Sequence, residues 1–192
     1  MSAPAKVWLD TPHYILRTIE PEDASDAWGQ WLTHSETARM LNSPARAASI
    51  KDIREYIATF DGHNRHLLGI VQKDTGLLVG IRALYVDWTK REFVVNVLVG
   101  EVNARGKGAR EETSEATYRY FFDLVGLEAA TCTVLGHNAP ILKVMHNNGW
   151  QLTGSTYRAD TSGGAPIEVR SFRLSRETWA RKAGEKAARP QS

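Results

Sequence analysis

Seven stretches of the chain have the apolar pattern of β-strands, and the first of them, residues 14–19, alternates apolar and polar positions. The seven stretches are residues 14–19, 66–72, 77–87, 93–99, 128–135, 151–158 and 167–174. Short polar turns, KDTG and DWTK, join the second stretch to the third and the third to the fourth. Turns of this length connect neighbouring strands, so residues 66–99 are predicted to form an antiparallel meander.

Helical signals occupy much of the chain between these stretches. Pro21, followed by two acidic residues, starts a helix that carries Trp28 and Trp31. Ser49 begins a second helix, in which apolar residues recur on one face. Further helices are predicted at residues 109–125, closed by Gly126, at residues 141–147, closed by Gly149, and after residue 175. Strands and helices that alternate in the second half indicate an α/β fold with a mixed sheet.

The composition is that of an ordinary globular domain, since 42% of the 192 residues are hydrophobic and 24% are charged. No repeat or linker divides the chain, so residues 11–180 are predicted to form one domain. Residues 1–10 and 181–192 are predicted to be flexible tails.

The charge balance argues against two classes of partner. The 24 basic and 22 acidic residues leave a formal charge of +2, which provides no general field for nucleic acid or an anionic membrane. The N-terminus has no signal-peptide pattern, and no run reaches the roughly 20 apolar residues that cross a bilayer. A cytoplasmic protein is expected, and any anion site must be local.

Cys132 is the single cysteine, which excludes an intrachain disulfide and a metal site with several cysteines. It lies in the apolar alternation Ala130, Cys132, Val134, where a small buried side chain is a simpler interpretation than a catalytic thiol. The six histidines do not have the spacing of metal ligands, so no metal is predicted.

The sequence EVNARGKGAR lies between the strand at residues 93–99 and the long helix. Gly106 and Gly108 let the backbone approach a ligand, while Arg105, Lys107 and Arg110 supply three cations. Because amides at a helix N-terminus bind anions, the loop indicates a phosphate or pyrophosphate site. The nucleotide P-loop motif is absent, and the dinucleotide fingerprint GxGxxG is only half matched. A surface turn with solvated charges is the alternative interpretation.

RGKGAR resembles the Q/R-x-x-G-x-G/A motif of the GCN5-related N-acetyltransferase (GNAT) family, with Arg105 first, Gly108 fourth and Arg110 where the family usually has glycine or alanine. The segment NAPILKVMHNNGW is similar to the family's segment that begins with asparagine and ends in G-[FW], and YILRTIEPEDA is typical of its RimJ/RimL-like branch. The other matching residues are Glu112, Asn138, Gly149 and Trp150. The resemblance covers residues 13–175.

The resemblance implies an α/β fold with a mixed sheet of about seven strands, flanked by helices. The central parallel strands, residues 93–99 and 128–135, would splay apart around the co-substrate acetyl-CoA. The backbone near Leu98 and Val99 would bind the pantetheine arm, and an N–H near Leu98 would polarise the thioester carbonyl. The implied cofactor-binding residues are Leu98, Val99, Arg105, Gly106, Lys107, Gly108, Ala109, Arg110 and Asn138.

Three residues are candidates for catalysis. Period-two counting places Glu92 and Asn96 on one face of the fourth strand, with Glu92 as the base and Asn96 as a ligand of the acceptor. Beside two cations, Glu92 is more simply a solvated turn residue. His137, after the strand at residues 128–135, suits proton transfer by its titration range, and a surface-loop histidine is the equal alternative.

Two positions of the short helix depart from the family pattern. Many members have a tyrosine there as acid to the thiolate, and the RimJ/RimL-like branch often has a serine three residues after the asparagine; here these positions are Met145 and Ile141. Neither can donate a proton, which leaves water or another group to protonate the thiolate, or else a weak activity. The acceptor pocket is expected from the first two helices and the last loop. Its candidate residues are Trp28, Trp31, Tyr157 and Asp160, and for the tryptophans a core position is the simpler interpretation.

These features together predict an N-acetyltransferase that moves an acetyl group from acetyl-CoA directly to a primary amine. The acceptor is a small molecule or a protein N-terminus, no nucleic acid or membrane partner is expected, and a homodimer is left open. The departures at Arg110 and Met145 keep two alternatives open: a non-catalytic acyl-CoA-binding or regulatory domain, and a nucleotide-phosphate-binding protein.

Overall fold

One mixed sheet of eight strands is the framework of the computed structural model, which describes residues 6–187. The strands are β1 (Trp8–Asp10), β2 (Tyr14–Thr18), β3 (Arg65–Gln72), β4 (Leu78–Asp87), β5 (Glu92–Val99), β6 (Ala129–Leu135), β7 (Gln151–Arg158) and β8 (Ile167–Ser175). The helices are α1 (Asp26–Gly29), α2 (Ser35–Leu41), α3 (Ile50–Ala58), α4 (Ala109–Arg119), α5 (Ala139–Asn147) and α6 (Arg176–Ala187). The strand order is β1-β2-β3-β4-β5-β6-β8-β7.

The mixed sheet and the antiparallel meander are confirmed, but the sheet has eight strands rather than seven. The additional strand β1 pairs with β2 and lies within the predicted N-terminal tail. Three residues are too few to show an alternating pattern in the sequence. At the other end, α6 extends past residue 180 into the predicted C-terminal tail. The rest of the two tails, residues 1–5 and 188–192, lies outside the described residues.

The two parallel strands at the centre of the sheet separate soon after they begin. β5 and β6 pair only at Glu92 with Ala129, Phe93 with Ala130 and Val94 with Thr131. Beyond that point β5 stays paired with β4 as far as Val99, and β6 stays paired with β8 as far as Leu135. One backbone edge of residues 95–99 therefore faces a gap instead of a neighbouring strand.

Both faces of the sheet are covered by helices. On one face α4, α5 and α6 enclose a core that includes Phe93 and Trp150. On the other face α1 and α3 enclose a second core, which contains Trp28 and Trp31 with their ring centroids 5.6 Å apart. Both tryptophans are buried. Their interpretation as core residues is therefore confirmed.

The prediction of one helix through Trp28 and Trp31 is wrong. The segment divides into α1, a 3-10 turn at Trp31–Thr33, and α2. The carbonyl of Gly29 accepts a hydrogen bond from the amide of Ala48 at 3.0 Å, and a Cβ at Gly29 would collide with the Ala48 carbonyl. The chain after α2 thus crosses directly over Gly29. The Gly29 carbonyl bonds to Ala48 instead of to the next helical turn, and the helix ends there.

The long helix predicted over residues 109–125 has two parts. α4 ends at Arg119 and continues as a π-helical turn, Tyr120–Leu124, before Gly126 ends the helix with a φ of 82°. The π turn changes the direction of successive side chains, and Phe121 and Phe122 are both fully buried. Their ring centroids lie 5.0 and 5.4 Å from that of Phe93 on β5. The helix is thus anchored below the strand that borders the gap.

Glu112 connects the start of α4 to the turn between β1 and β2. Its carboxylate accepts hydrogen bonds from the Thr11 hydroxyl and from the His13 amide at 2.7 Å, and it lies 2.9 Å from the His13 ring. Desolvation opposes ionisation, but these donors together lower the pKa of Glu112 below its ordinary value. The helix N-terminus is therefore tied to the edge of the sheet.

Glu112→Gln is expected to lower the free energy of unfolding at neutral pH by about 1 kcal/mol, because charge-assisted hydrogen bonds become neutral ones. The pKa of Glu112 is lower in the folded protein than in the unfolded chain. The stability that its carboxylate adds is therefore complete above the pKa of the unfolded chain, and it is lost as the pH falls through the pKa of the folded protein. Urea denaturation at neutral and acid pH checks this, with Glu115→Gln as an exposed control on the same helix. An advantage that persists at the acid end would contradict the prediction.

Candidate active site

The loop between β5 and α4 has the backbone of an anion site. Gly106 and Gly108 have φ of 70° and 80°, and a Cβ on either would meet no atom within 4 Å, so glycine is required by conformation rather than by space. No side chain caps α4 at Gly108. Within residues 6–187, no protein oxygen accepts a hydrogen bond from the backbone amides of residues 106–111. Six consecutive donors are therefore free for a ligand.

The side chain of Arg105 extends from this loop to the end of β5 and to α2. Its Nε donates to the Val99 carbonyl at 3.1 Å, and its Nη2 donates to the Gly100 carbonyl at 3.0 Å and to the Thr37 hydroxyl at 2.7 Å. These three acceptors take three of the five N–H donors of the guanidinium. Arg105 therefore ties the loop to the end of β5 and to α2, and it also lines the mouth of the cleft.

The other cations of the loop have different surroundings. Lys107 is exposed, and its side chain makes no ion pair within residues 6–187. Its carbonyl accepts a hydrogen bond from the Tyr14 hydroxyl at 3.3 Å, which supports the loop from below. The side chain of Arg110 is mostly buried, lines the cleft and pairs with Glu111 at 2.6 Å. Lys107 is thus the loop cation that is free to meet an anion.

A cleft of about 630 Å³ fills the gap between the splayed strands. Residues 95–99 of β5 and 132–135 of β6 form its two walls, and the loop with Arg105, Gly106, Ala109 and Arg110 borders its mouth. A smaller cavity of about 110 Å³ lies between α4, α5 and α6 and shares part of its lining with the cleft. The free loop amides and the open strand edge therefore border one continuous space.

A buried arginine forms part of the cleft wall. Arg82 on β4 is fully buried, and its guanidinium donates to the Thr113 hydroxyl, to the Ser114 hydroxyl at 2.7 Å and to the Arg110 carbonyl at 2.7 Å. No carboxylate of residues 6–187 pairs with it. Desolvation therefore lowers the pKa of Arg82 to about 10. An unneutralised positive charge thus lies beneath the first turn of α4.

The structure separates the three catalytic candidates. Asn96 is exposed and lines the cleft. Glu92 lies at the closed end, where the strands are still paired, and its carboxylate pairs with Arg173 at 3.0 Å, so it does not line the cleft. His137 is exposed in the turn after β6 and also lies outside the lining. Of the three candidates, Asn96 alone is in the lining of the cleft, and Glu92 is held by its ion pair with Arg173.

The cleft side of β6 and α5 is largely apolar. Asn138 caps α5, because its Oδ1 accepts from the Ile141 amide at 3.4 Å, and it also lines the cleft. Met145 is buried and its Sδ lies 3.7 Å from the Cys132 Sγ. Burial raises the pKa of the Cys132 thiol to about 12, which agrees with a packed side chain rather than a nucleophile.

One end of the cleft is formed by α2, a helix that was not predicted from the sequence. Glu36, Thr37, Met40 and Leu41 of α2 line the cleft, whereas the two buried tryptophans do not. Asn42, just after α2, donates to the Ala159 carbonyl at 2.9 Å and accepts from the Thr161 amide at 2.9 Å. The loop between β7 and β8 is thereby fastened to α2.

Among the expected acceptor residues of that region, Tyr157 is 70% exposed. Asp160 caps its own turn, with its Oδ1 2.8 Å from the Ser162 amide. Neither residue lines the cleft.

Arg82 and Tyr118 are site residues that sequence reasoning missed. Each lies in an element whose pattern shows only a strand or a helix, and they meet at the cleft through pairing of distant segments. An arginine at the centre of the apolar run LVGIRALYV was the available signal for Arg82, since a charged residue is rarely buried in a strand unless it has partners.

Fold and site together define an α/β protein whose splayed parallel strands hold a cleft with an anion-binding helix N-terminus at its mouth. A family model described as an acetyltransferase (GNAT) domain matches residues 13–151. The chain therefore belongs to the GNAT family of acetyltransferases, and it is an acyl-CoA-dependent N-acyltransferase.

Similar solved structures share this fold. A GCN5-related N-acetyltransferase from Brucella melitensis is 13% identical with a TM-score of 0.76, over 97% of this chain and 86% of that one. Spermidine N-acetyltransferase from Vibrio cholerae, in complex with CoA and spermine, is 13% identical with a TM-score of 0.76, over 88% and 98%. A ribosomal-protein-S5-alanine acetyltransferase from Vibrio fischeri is 14% identical with a TM-score of 0.74, over 90% and 98%. Comparison with curated protein sequences finds no match.

None of the helices in residues 6–187 has the length and apolar character that a membrane span requires. No group of three or more histidine, cysteine, aspartate or glutamate side chains is arranged there as a metal site.

Proposed function

We propose that this protein transfers the acetyl group of acetyl-CoA to a primary amine of a small molecule or of a protein N-terminus. The observation that supports this most strongly is the run of free amides at residues 106–111, at the mouth of the gap between β5 and β6. The bound co-substrate supplies an activated acetyl group as a thioester. Family membership supports this chemistry over that of a nucleotide-phosphate binder.

The residues of the loop fit the pyrophosphate of CoA. Amides at a helix N-terminus and two glycines with positive φ form a concave anion site, to which Lys107 adds a cation. Arg105 acts indirectly, because its bonds to the end of β5 and to α2 hold the loop in place. Arg110 contributes its backbone amide, while its side chain stays with Glu111.

Lys107→Met is expected to weaken CoA binding by about 10-fold, because one charge-assisted contact to phosphate is lost. The free energy of unfolding should not change, since the lysine side chain has no protein partner to lose. Calorimetry with CoA and urea denaturation measure the two quantities. Arg105→Met is the comparison variant, and it is expected to lower both the CoA affinity and the free energy of unfolding. Equal free energies of unfolding for the two variants would contradict the view that Arg105 holds the loop while Lys107 only binds the anion.

The open edge of β5 fits the rest of the co-substrate and the acceptor. Backbone groups near Leu98 and Val99 border the cleft and can bind an extended chain as a further strand would. An amide there would polarise the thioester carbonyl. Asn96 on β5 and Glu36 on α2 face the acceptor end, where a carboxylate attracts an ammonium group and an amide orients the amine.

The acceptor class rests on two weaker supports. The opening YILRTIEPEDA favours the RimJ/RimL-like branch, and the Vibrio fischeri relative is named as an acetyltransferase of a protein alanine. The Vibrio cholerae relative is named for spermidine and contains spermine. Both kinds of amine therefore belong in the first assay.

The test is incubation with acetyl-CoA and a panel of amines: an alanyl peptide, spermidine and an amino sugar. Thiol release is followed by absorbance, and release above hydrolysis with at least one amine is expected. No acceptor-dependent release from this panel, together with thermal stabilisation by CoA, would instead establish the non-catalytic acyl-CoA-binding alternative. Calorimetry with CoA and with ATP tests the remaining alternative, because a nucleotide-phosphate binder would bind both equally.

A further inference from the structure

A proton given to the sulfur assists the loss of a thiolate from a thioester, and the cleft holds few groups that can give one. The aliphatic hydroxyls and the guanidiniums of its lining are very weak acids. Burial raises the pKa of the Cys132 thiol to about 12. Glu36 and Glu111 also line the cleft, but a carboxylate accepts protons instead of donating them. Among the uncharged side chains of the lining, the remaining acid is the phenol of Tyr118, on the third turn of α4.

The ring of Tyr118 is held at the place where both cavities meet. Tyr118 lines the cleft and the smaller cavity, and so do Met145 and Trp150. Its ring centroid lies 6.0 Å from that of Phe122, 6.0 Å from that of Trp150 and 6.5 Å from that of Phe93. Three aromatic neighbours leave the ring little freedom, so the hydroxyl occupies a defined position in the cleft wall.

The charged groups around the hydroxyl come from three elements. Desolvation, the largest effect, and Cys132 of β6 raise the pKa of Tyr118, whereas Arg82 of β4 and the α4 residues Ser114 and Arg110 lower it, and the net pKa lies above its ordinary value. Met145 of α5 and the three aromatic neighbours carry no titratable group. The phenol is thus protonated at neutral pH, and the buried Arg82 cation stabilises the phenolate that proton transfer would leave.

We propose that Tyr118 is the catalytic residue that protonates the departing sulfur, with Arg82 as a positioning residue beside it. The inference rests on the proposed function. The amine nitrogen bonds to the carbonyl carbon, the C–S bond breaks with its electron pair going to sulfur, and the phenol gives its proton to that sulfur. The phenolate then takes the proton that the amine nitrogen releases, so the products are the acetylated amine and CoA thiol.

Tyr118→Phe removes only the hydroxyl and keeps the ring among its neighbours. Its kcat is expected to fall by about 100-fold, with KM for acetyl-CoA unchanged. Tyr120→Phe is the matched control, because Tyr120 lies one residue beyond α4 and does not line the cleft. A Tyr118→Phe variant with wild-type kcat would overturn the proposal.

A second measurement needs neither an acceptor nor turnover. The thiol pKa of bound CoA is titrated by the ultraviolet absorbance of the thiolate, and it is expected to be about one unit higher in Tyr118→Phe than in the wild type, because a hydrogen bond to the thiolate is lost. An equal thiol pKa in both proteins overturns the assignment, even if kcat falls. If no amine is acetylated, the proposed function fails, while this titration still decides whether Tyr118 meets the sulfur.

Arg82 is tested through the same titration. Arg82→Lys keeps the charge and should leave the thiol pKa of bound CoA close to the wild-type value, whereas Arg82→Gln should raise it. Circular dichroism confirms folding of each variant. If Arg82→Gln does not fold, a thiol pKa in Arg82→Lys that is raised well above the wild-type value would still contradict the role of the charge. Equal thiol pKa values in the wild type and a folded Arg82→Gln variant would remove Arg82 from the proposal.

Discussion

Gly108→Val is expected to lower the affinity for CoA by about 100-fold or more, because two charge-assisted hydrogen bonds at about 1.5–3 kcal/mol each depend on this backbone. A β-branched residue avoids a φ of 80°, so the loop must change its conformation and turn its amides away from the ligand. Calorimetric titration with CoA measures the effect.

The matched control is Gly76→Val in the turn between β3 and β4. Gly76 has a φ of 68°, and its Cβ position is equally empty, so the backbone strain is similar while the cleft is untouched. Both variants should lose a similar free energy of unfolding, and only Gly108→Val should lose CoA affinity. Normal CoA binding by Gly108→Val would show that the loop is not the pyrophosphate site.

Phe121→Ala is expected to lower the free energy of unfolding by about 3–5 kcal/mol. The ring is fully buried, stacks on Phe93 with centroids 5.0 Å apart and meets the edge of His66 at 5.2 Å. Its removal leaves a cavity below the point where β5 and β6 separate. Urea denaturation gives the value, and the cost is expected to appear without any ligand.

Leu124→Ala, in the same π turn, is the control for Phe121. Its side chain is 75% exposed, so the change should stay within about 0.5 kcal/mol. A similar loss in the two variants would mean that helix propensity of the turn, rather than packing against Phe93, determines the stability of this region. Phe121 packs on the face of β5 opposite to that of Asn96. The kcat of acetyl transfer should therefore change little in variants that remain folded.

The positions of most elements could be predicted because their signals are local. The capping box at Ser49, the prolines at the starts of helices, and the glycines with positive φ at Gly126 and Gly149 act within a few residues. The exceptions have non-local causes. β1 is a strand because β2 lies beside it, and the first helix is broken because Ala48 crosses Gly29.

The site could be predicted only in part for a similar reason. The loop at residues 105–110 was recognisable because a strand, two glycines and a helix N-terminus follow one another in the chain. The direction of each side chain was not recognisable. Arg105 turned out to bind Thr37 on α2, and Glu92 to pair with Arg173 on β8, and both partners lie more than 60 residues away in sequence.

The sequence by itself determined the family, the mixed sheet and the anion-binding loop, because periodicity and motif spacing express short-range geometry. Only the tertiary structure decided which groups border the cleft. Parallel pairing of β5 and β6 ends at Val94, and the opening that follows brings Arg82 of β4, Tyr118 of α4 and Cys132 of β6 together. These side chains come from distant segments of the chain and share one buried space. Desolvation in that space then shifts the pKa of each of them.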